Sequence, residues 1–291
     1  MNRRKADAAL AVNTLIWGAT FAVVKSALRE ISPVFFLALR FLLAALVLAA
    51  LWLAGWRSAR PDRRSIAAGV LTGCFLFSGF LFQTIGLQFT SAPKSAFLTG
   101  LSSVLAPLMA ALLYRNRPQP IEILGVLVAV AGLGLMTLER PLGSIGKGDL
   151  LTLVCAVAFA GHIVTLGHFS EKMRFEVLSV IQVATAAVLA LGSFWWVEPV
   201  RVQWHAPVVA AILVTGLLAT ALTFTVQAWA QRYTTSTRTA LIYTLEPVFA
   251  LLISYGALGE GLAGRTAAGA ALILSGVVLV EMKPLQGRVH P

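Results

Sequence analysis

The sequence predicts an all-α integral membrane protein with ten transmembrane helices, arranged as two inverted five-helix repeats. Three observations lead to this prediction. Of the 291 residues, 58% are hydrophobic and 12% are charged, whereas a soluble globular domain carries about 25% charged residues. Five stretches of 20 to 30 residues contain no Asp, Glu, Lys or Arg. The chain also resembles itself when it is shifted by 144 residues.

The ten spans follow from the lengths of the apolar stretches and from the helix-breaking residues between them. A hydrocarbon core of about 30 Å is crossed by about 20 helical residues. Proline or glycine interrupts the apolar pattern after Ile31, before Ile121 and after Leu258, as is typical of helix ends. The predicted spans run near 7–27, 32–55, 65–87, 93–114, 120–138, 148–169, 176–196, 207–230, 236–257 and 264–282.

The net charge of +11 indicates membrane topology, because the basic residues lie in short spacers between apolar stretches. Fifteen Lys and Arg residues fall in the connections on one side and six in those on the other. Cytoplasmic loops carry the excess of Lys and Arg. We therefore expect a multi-pass protein of the cell (inner or plasma) membrane with both termini in the cytoplasm. The lipid bilayer is an expected partner and nucleic acid is not.

The basic N-terminus and the apolar residues 8–24 resemble a signal peptide, but we expect a membrane anchor. Lys25 follows the apolar segment without a small-residue cleavage site.

The 144-residue shift indicates a duplication. It aligns Gln83 with Gln227, and ten of the 54 positions from 83 to 136 are identical to their counterparts. One repeat then covers 1–140, the second covers 148–283, and 284–291 form a cytoplasmic tail. Because each repeat has five spans, an odd number, the second must enter the membrane in the opposite orientation.

Glycines that recur seven residues apart are expected to let spans five and ten approach closely, as small residues do in membranes. These packing positions are Gly125, Gly132, Gly269 and Gly276.

Several local patterns resemble those of the EamA family, the ten-helix branch of the drug/metabolite transporter superfamily. They are Asn13-Thr14-Leu15-Ile16-Trp17-Gly18-Ala19-Thr20-Phe21 in span one, Leu39-Arg40-Phe41 in span two, and Leu245-Glu246-Pro247-Val248-Phe249-Ala250 followed by Gly259-Glu260. The resemblance covers essentially the whole chain. It implies a transporter of small metabolites such as amino acids, sugars, purines or drugs, and the YddG-like amino acid exporters are the first members for comparison.

The first repeat departs from the family pattern, because Arg115-Asn116-Arg117 stands where a Gly-Glu pair is frequent. The register is also ambiguous, since aligning Pro107 with Pro247 needs a shift of 140 residues. Four residues are about one helical turn, so the same face is kept either way.

Ionisable residues within a span are functional candidates, because lipid does not tolerate them without a partner or a wet cavity. Glu246 in span nine and Arg40 in span two lie at similar depths, and they could form a structural ion pair. Glu246 could instead contact substrate or take up protons. Pro247 cannot donate a hydrogen bond to the Tyr243 carbonyl, so span nine is expected to be kinked there. His162, near the middle of span six, is either hydrogen-bonded packing or a ligand or proton relay.

Uncharged polar and aromatic residues gather at comparable depths. They are Asn13, Trp17, Thr20, Ser78, Gln83, Thr99, Ser102, Ser103, Thr220, Thr223, Phe224, Gln227, Tyr243 and Thr244. The predicted cavity residues are Trp17, Gln83, Thr99, Ser103, His162, Thr223, Gln227, Tyr243 and Glu246. The predicted structural or hinge positions are Arg40, Pro107, Pro247 and the four packing glycines.

The leading hypothesis is a secondary transporter that exports small polar metabolites, amino acids above all, by alternating access around a cavity between the repeats. Proton coupling and facilitated diffusion are both compatible with it. The alternatives are export of a purine, sugar or drug, and an intramembrane enzyme, for which no paired catalytic residues are seen. An ion channel would need a filter-like segment or a ring of charges, and the sequence shows neither. We expect no cofactor and no metal.

Overall fold

The computed structural model describes residues 3–56, 61–90, 92–115, 117–138, 145–258 and 264–282, and within these ranges the chain is helical apart from short connections. Thirteen α-helices are described. They are α1 (Arg3–Ala27), α2 (Pro33–Leu51), α3 (Arg63–Gly86), α4 (Ala92–Gly100), α5 (Ser102–Tyr114), α6 (Pro120–Thr137), α7 (Lys147–Ser170), α8 (Phe175–Val197), α9 (Ala206–Gly216), α10 (Thr223–Ala230), α11 (Ser236–Tyr243), α12 (Glu246–Leu258) and α13 (Gly264–Glu281). One π-helical turn, Trp52–Trp56, follows α2. A second, Leu217–Leu222, joins α9 to α10.

These helices coincide with the predicted spans to within a few residues, except that several spans are built from two helices in succession. Seven helical segments in the described ranges are long and apolar enough to cross a membrane, and some of them consist of two successive numbered helices. The number of crossings and the inversion of the repeats stay predictions. The predicted Gly259-Glu260 signature and the tail at 284–291 lie outside the described residues.

Two helix interruptions lie 144 residues apart, at Leu101 and at Thr244–Leu245. A hydroxyl bonds a nearby backbone carbonyl at each: Ser103 Oγ donates to Gly100 O at 2.8 Å, and Thr244 Oγ1 donates to Leu241 O at 2.6 Å. The second interruption lies just before Pro247, which has no N–H to continue the helix.

Pro107, a predicted structural or hinge position, does not interrupt its helix. It lies inside α5, which continues to Tyr114. The break of the predicted fourth span comes six residues earlier, at Leu101.

The bundle has two faces. We call the face at which α1, α3 and α6 begin the proximal face, and the face at which they end the distal face. Successive spans run in alternate directions between these two faces, and contacts at both ends of the bundle agree with this. At the distal face Thr90 Oγ1 donates to Asp149 Oδ1 at 2.6 Å, and at the proximal face the rings of Tyr114 and His168 stack at 3.8 Å.

The predicted packing glycines bring α6 and α13 together in an antiparallel arrangement. A Cβ added at Gly132 would lie 2.6 Å from the Gly269 carbonyl oxygen, and one at Gly125 would lie 2.8 Å from the Gly276 carbonyl oxygen. Both distances are too short for a side chain. The four positions therefore let the two backbones touch.

The distal face joins the start of α2 to the connection that follows α8. Glu198 Oε1 accepts hydrogen bonds from the backbone N–H groups of Val34 (2.5 Å) and Phe35 (3.3 Å), so it caps α2 from a distant part of the chain. Burial raises the pKa of the Glu198 carboxyl, while these two donors and Arg201 act in the opposite direction. Ser32 N–H also donates to Arg201 O at 2.7 Å.

We expect Gly132→Ala to lower the stability of the protein, because its Cβ would meet backbone atoms of α13 that cannot move independently. Overpacking of this kind costs about 1–3 kcal/mol. The measurement is equilibrium unfolding in mixed detergent micelles. Gly192→Ala is the matched control, since a Cβ at Gly192 meets nothing within 4 Å. Equal effects of the two substitutions would contradict the packing role.

Candidate functional site

A cavity of about 510 Å³ lies in the middle of the bundle. Its wall is formed by residues of α1 to α7 and α10 to α12. The lining extends to the distal face, where it includes Leu28, Leu87, Thr137 and Leu251. Toward the proximal face the lining ends at Ile163, Gln227 and Ala240.

Seven of the nine predicted cavity residues line this space, which are Trp17, Gln83, Thr99, His162, Gln227, Tyr243 and Glu246. The other two point elsewhere. Ser103 bonds the Gly100 carbonyl, and Thr223 is fully buried outside the lining. Two residues predicted as structural or hinge positions, Arg40 and Pro247, also line the cavity.

Arg40 reaches the cavity from α2 and is held in place by three contacts. Its Nε donates to Thr220 Oγ1 at 2.6 Å, and its Nη2 donates to Ala219 O at 2.9 Å. The guanidinium carbon lies 4.6 Å from the centroid of the Phe80 ring, a cation–π arrangement. The third nitrogen, Nη1, donates no hydrogen bond to the described residues.

The π-helical turn between α9 and α10 supplies the carbonyl that Arg40 uses. Thr223 N–H donates to Leu218 O, five residues earlier, instead of to Ala219 O. The carbonyl of Ala219 accepts from Arg40 Nη2 and from Trp17 Nε1, at 3.0 Å from the indole nitrogen. Such turns are frequent at functional sites, and no pattern in the sequence marks this one.

Glu246 lies at the start of α12, and its carboxylate has no direct partner in the part of the chain that the structure describes. It forms no ion pair within 4.0 Å and accepts no hydrogen bond from the described residues. Arg40 is near enough for a favourable electrostatic interaction. The structural ion pair considered for these two residues is therefore not formed.

His162 is hydrogen-bonded within the protein. Its Nε2 lies 2.9 Å from Gln182 Oε1, and Gln182 Nε2 donates to Phe224 O at 3.4 Å. This geometry fits the packing interpretation of His162, although the residue also lines the cavity. Sequence reasoning missed Gln182, whose amide in the uncharged stretch 177–197 was the available signal.

Aromatic rings form much of the wall. The ring centroids of Trp17 and Tyr243 lie 4.8 Å apart, and those of Trp17 and Phe224 lie 5.7 Å apart. Phe80 makes edge contacts with Phe224 at 6.0 Å and with Phe159 at 5.3 Å. We missed Phe80 and Phe159 because a phenylalanine in an apolar stretch carries no signal of its own. The 144-residue shift, which aligns Phe80 with Phe224, could have found the first.

Buried polar contacts occupy the proximal end, below the cavity. Arg238 Nε lies 3.5 Å from Glu122 Oε1, and both side chains are at most 3% exposed. Thr235 Oγ1 donates to the same carboxylate oxygen at 3.1 Å. Nearby, Gln231 Nε2 donates to Ile163 O at 2.9 Å. We call the Glu122–Arg238 pair with Thr235 the proximal lock.

The model of the EamA-like transporter family matches this chain twice, at residues 4–138 and 146–282. The chain belongs to the EamA-like transporter family. The resemblance of the local sequence patterns is thus confirmed, and the protein is a transporter with several apolar helices in a membrane.

Individual EamA-like relatives and a solved structure agree with this assignment. An uncharacterized transporter of Archaeoglobus fulgidus is 33% identical over 97% of this chain and 88% of the relative. A probable terminal-alkyne amino-acid exporter of Streptantibioticus cattleyicolor is 26% identical over 99% of this chain and 97% of the relative. A crystal structure matches the fold with a TM-score of 0.80 at 22% identity, covering 96% of this chain and 98% of that one.

We expect Thr220→Val to destabilise this EamA-like protein, because it removes the acceptor of Arg40 Nε from a buried site. Hydrogen bonds to charged groups contribute about 1.5–3 kcal/mol. Equilibrium unfolding in mixed micelles measures the loss. Thr215→Val is the matched control, since Thr215 is equally buried and its hydroxyl bonds only the Ala211 carbonyl. A loss no larger than that of the control would argue against the anchoring of Arg40 by Thr220.

Proposed function

We propose that this protein exports amino acids and similar small polar metabolites across the cell membrane by alternating access. The observation that carries the proposal is the central cavity, which combines polar, charged and aromatic walls and extends to one face of the bundle. Its volume of about 510 Å³ falls in the usual range for small-molecule sites, about 300–1,000 Å³. The proposed cargo also agrees with the printed name of the Streptantibioticus relative.

Two inverted five-helix repeats, with ten spans in all, are part of this proposal. Three observations support them. The family model matches two successive parts of the chain. The helix interruptions recur 144 residues apart, which favours that register over 140. The glycines of α6 and α13 meet in antiparallel order, as helices related by inversion would.

We further propose that the proximal face lies in the cytoplasm, because Lys and Arg are concentrated in its connections. The structure then represents an outward-facing state, with the proximal lock as the cytoplasmic closure. Transport requires this closure to open while the distal side closes around substrate. The relatives are named transporters, and no catalytic step is proposed.

We expect saturable uptake of labelled amino acids into liposomes that contain the purified protein, with competition by unlabelled amino acids. The panel also contains sugars and purines, and each substrate is measured with and without a pH gradient. A response to the gradient indicates proton coupling, and its absence indicates facilitated diffusion. Uptake of a sugar or purine with none of any amino acid would overturn the proposed cargo.

We expect Glu122→Gln to weaken the proximal lock and to increase access to the cavity from the cytoplasm. The reporter is Ala240→Cys, a cavity position on α11, in a chain with Cys74 and Cys155 replaced by alanine. A membrane-impermeant maleimide applied to inside-out vesicles should label it about tenfold faster, the effect of 1.4 kcal/mol on an equilibrium.

Glu176→Gln is the control for this experiment, because Glu176 forms a more exposed pair with Arg174, also at 3.5 Å. An equal increase in labelling for both substitutions would be evidence against a gating role of the Glu122–Arg238 pair.

A further inference from the structure

Arg40 and Glu246 are the only Lys, Arg, Asp or Glu side chains that the described residues contribute to the cavity lining. We propose that they bind the two charged ends of a zwitterionic α-amino acid, Arg40 the carboxylate and Glu246 the ammonium group. This inference rests on the proposed function and deepens it, because it assigns each charge of the substrate to one residue. It also changes the role of Arg40 from a structural position to a substrate ligand.

The geometry of Arg40 suits a carboxylate. Thr220 and Ala219 fix its Nε and Nη2, so the orientation of the guanidinium group is set before substrate arrives. Nη1 remains available for an oxygen acceptor. A buried cation with N–H groups still available in a low-dielectric site binds an anion strongly, because the charge-assisted hydrogen bond replaces water at little entropic cost.

The geometry of Glu246 suits an ammonium group. Its carboxylate has no ion-pair or hydrogen-bond partner among the described residues, and it is partly exposed to the cavity. It interacts electrostatically with Arg40 across a separation greater than 4.0 Å. A ligand with a positive and a negative group a few ångströms apart can bridge this separation, with each bond about 2.7–2.9 Å long.

Charge balance favours a zwitterion over an ion of either sign. The Arg40–Glu246 pair has no net charge, and a zwitterion adds none. A simple carboxylic acid would satisfy Arg40 and leave Glu246 alone, and an amine would do the reverse. An unmatched charge at this depth is expensive, so a singly charged analogue should bind weakly.

The rest of the wall fits a neutral side chain. Trp17, Phe224 and Tyr243 pack against one another on one side of the cavity, and Leu133 and Met136 also line it. Apolar and aromatic side chains match these surfaces. A second charge on the side chain would find no counter-ion in the described lining.

The first experiment uses the wild-type protein in liposomes and measures competition against uptake of labelled leucine. The competitors are leucine, leucinamide, which lacks the carboxylate, and 4-methylpentanoate, which lacks the ammonium group. We expect each analogue to compete about 10- to 100-fold less well than leucine, as the loss of one hydrogen bond to a charged group implies.

The second experiment repeats the competition with two variants. In Arg40→Gln the advantage of leucine over leucinamide should disappear while its advantage over 4-methylpentanoate remains. In Glu246→Gln the opposite pattern is expected. Arg40→Lys should retain the wild-type order of competitors, and Gly192→Ala, which is remote from the cavity, should behave as wild type. A purely structural role would lower uptake without exchanging the preferences.

The outcomes separate this inference from the proposed function. If the wild type transports no amino acid, the proposed function fails. If leucine is transported but either analogue competes equally well, the assignment of the two charges is wrong while the function stands. The wild-type competition alone can overturn the inference, so this test does not depend on the folding of the variants.

Discussion

The structure depends on one constraint, that a backbone N–H or C=O in hydrocarbon must find a partner within the protein. Helices satisfy most of these groups, and several of the exceptions lie near the cavity. Where the fourth helix of each proposed repeat is interrupted, the hydroxyls of Ser103 and Thr244 bond a nearby carbonyl. Where α9 widens into a π-helical turn, the carbonyl of Ala219 is bonded by Arg40 and Trp17. The irregular backbone near the cavity is therefore stabilised by hydrogen bonds from neighbouring side chains.

Two pairs of opposite charge among the described residues differ in how closely their members approach. At the proximal end, Glu122 and Arg238 lie 3.5 Å apart and are buried together with Thr235. In the cavity, Arg40 and Glu246 remain separate, and Arg40 is held by other groups. In the proposed mechanism the joined pair keeps the cytoplasmic side closed, because each charge satisfies the other. The proposed role of the separated pair is to bind a ligand, because neither charge has its opposite as a direct partner until one arrives.

The sequence predicted where the helices run but not how each is rotated. Membrane thickness imposes the length of the apolar stretches, so the helix ends agree to within a few residues. Rotation depends on side-chain contacts between helices, which hydropathy does not report. Ser103 and Thr223 thus lie at the right depth but outside the cavity lining, while Arg40 turned out to line it. Pro107 and Pro247 looked alike in sequence, yet only Pro247 adjoins a break, because a proline removes one hydrogen bond and tertiary packing decides whether the helix continues. The sequence did not point to Gln182 or Phe80, because their roles arise from contacts with His162 and Arg40 that only the structure shows.

The cap on α2 has a consequence for biosynthesis. The first N–H groups of this helix, at Val34 and Phe35, are bonded by Glu198, which follows them by more than 160 residues. A ribosome releases the start of α2 long before it makes Glu198. Until Glu198 has been made, these N–H groups must find water or lipid headgroups as acceptors, because the hydrocarbon core offers none. The second helix thus obtains the native cap of its first turn only late in synthesis, when the second half of the chain arrives.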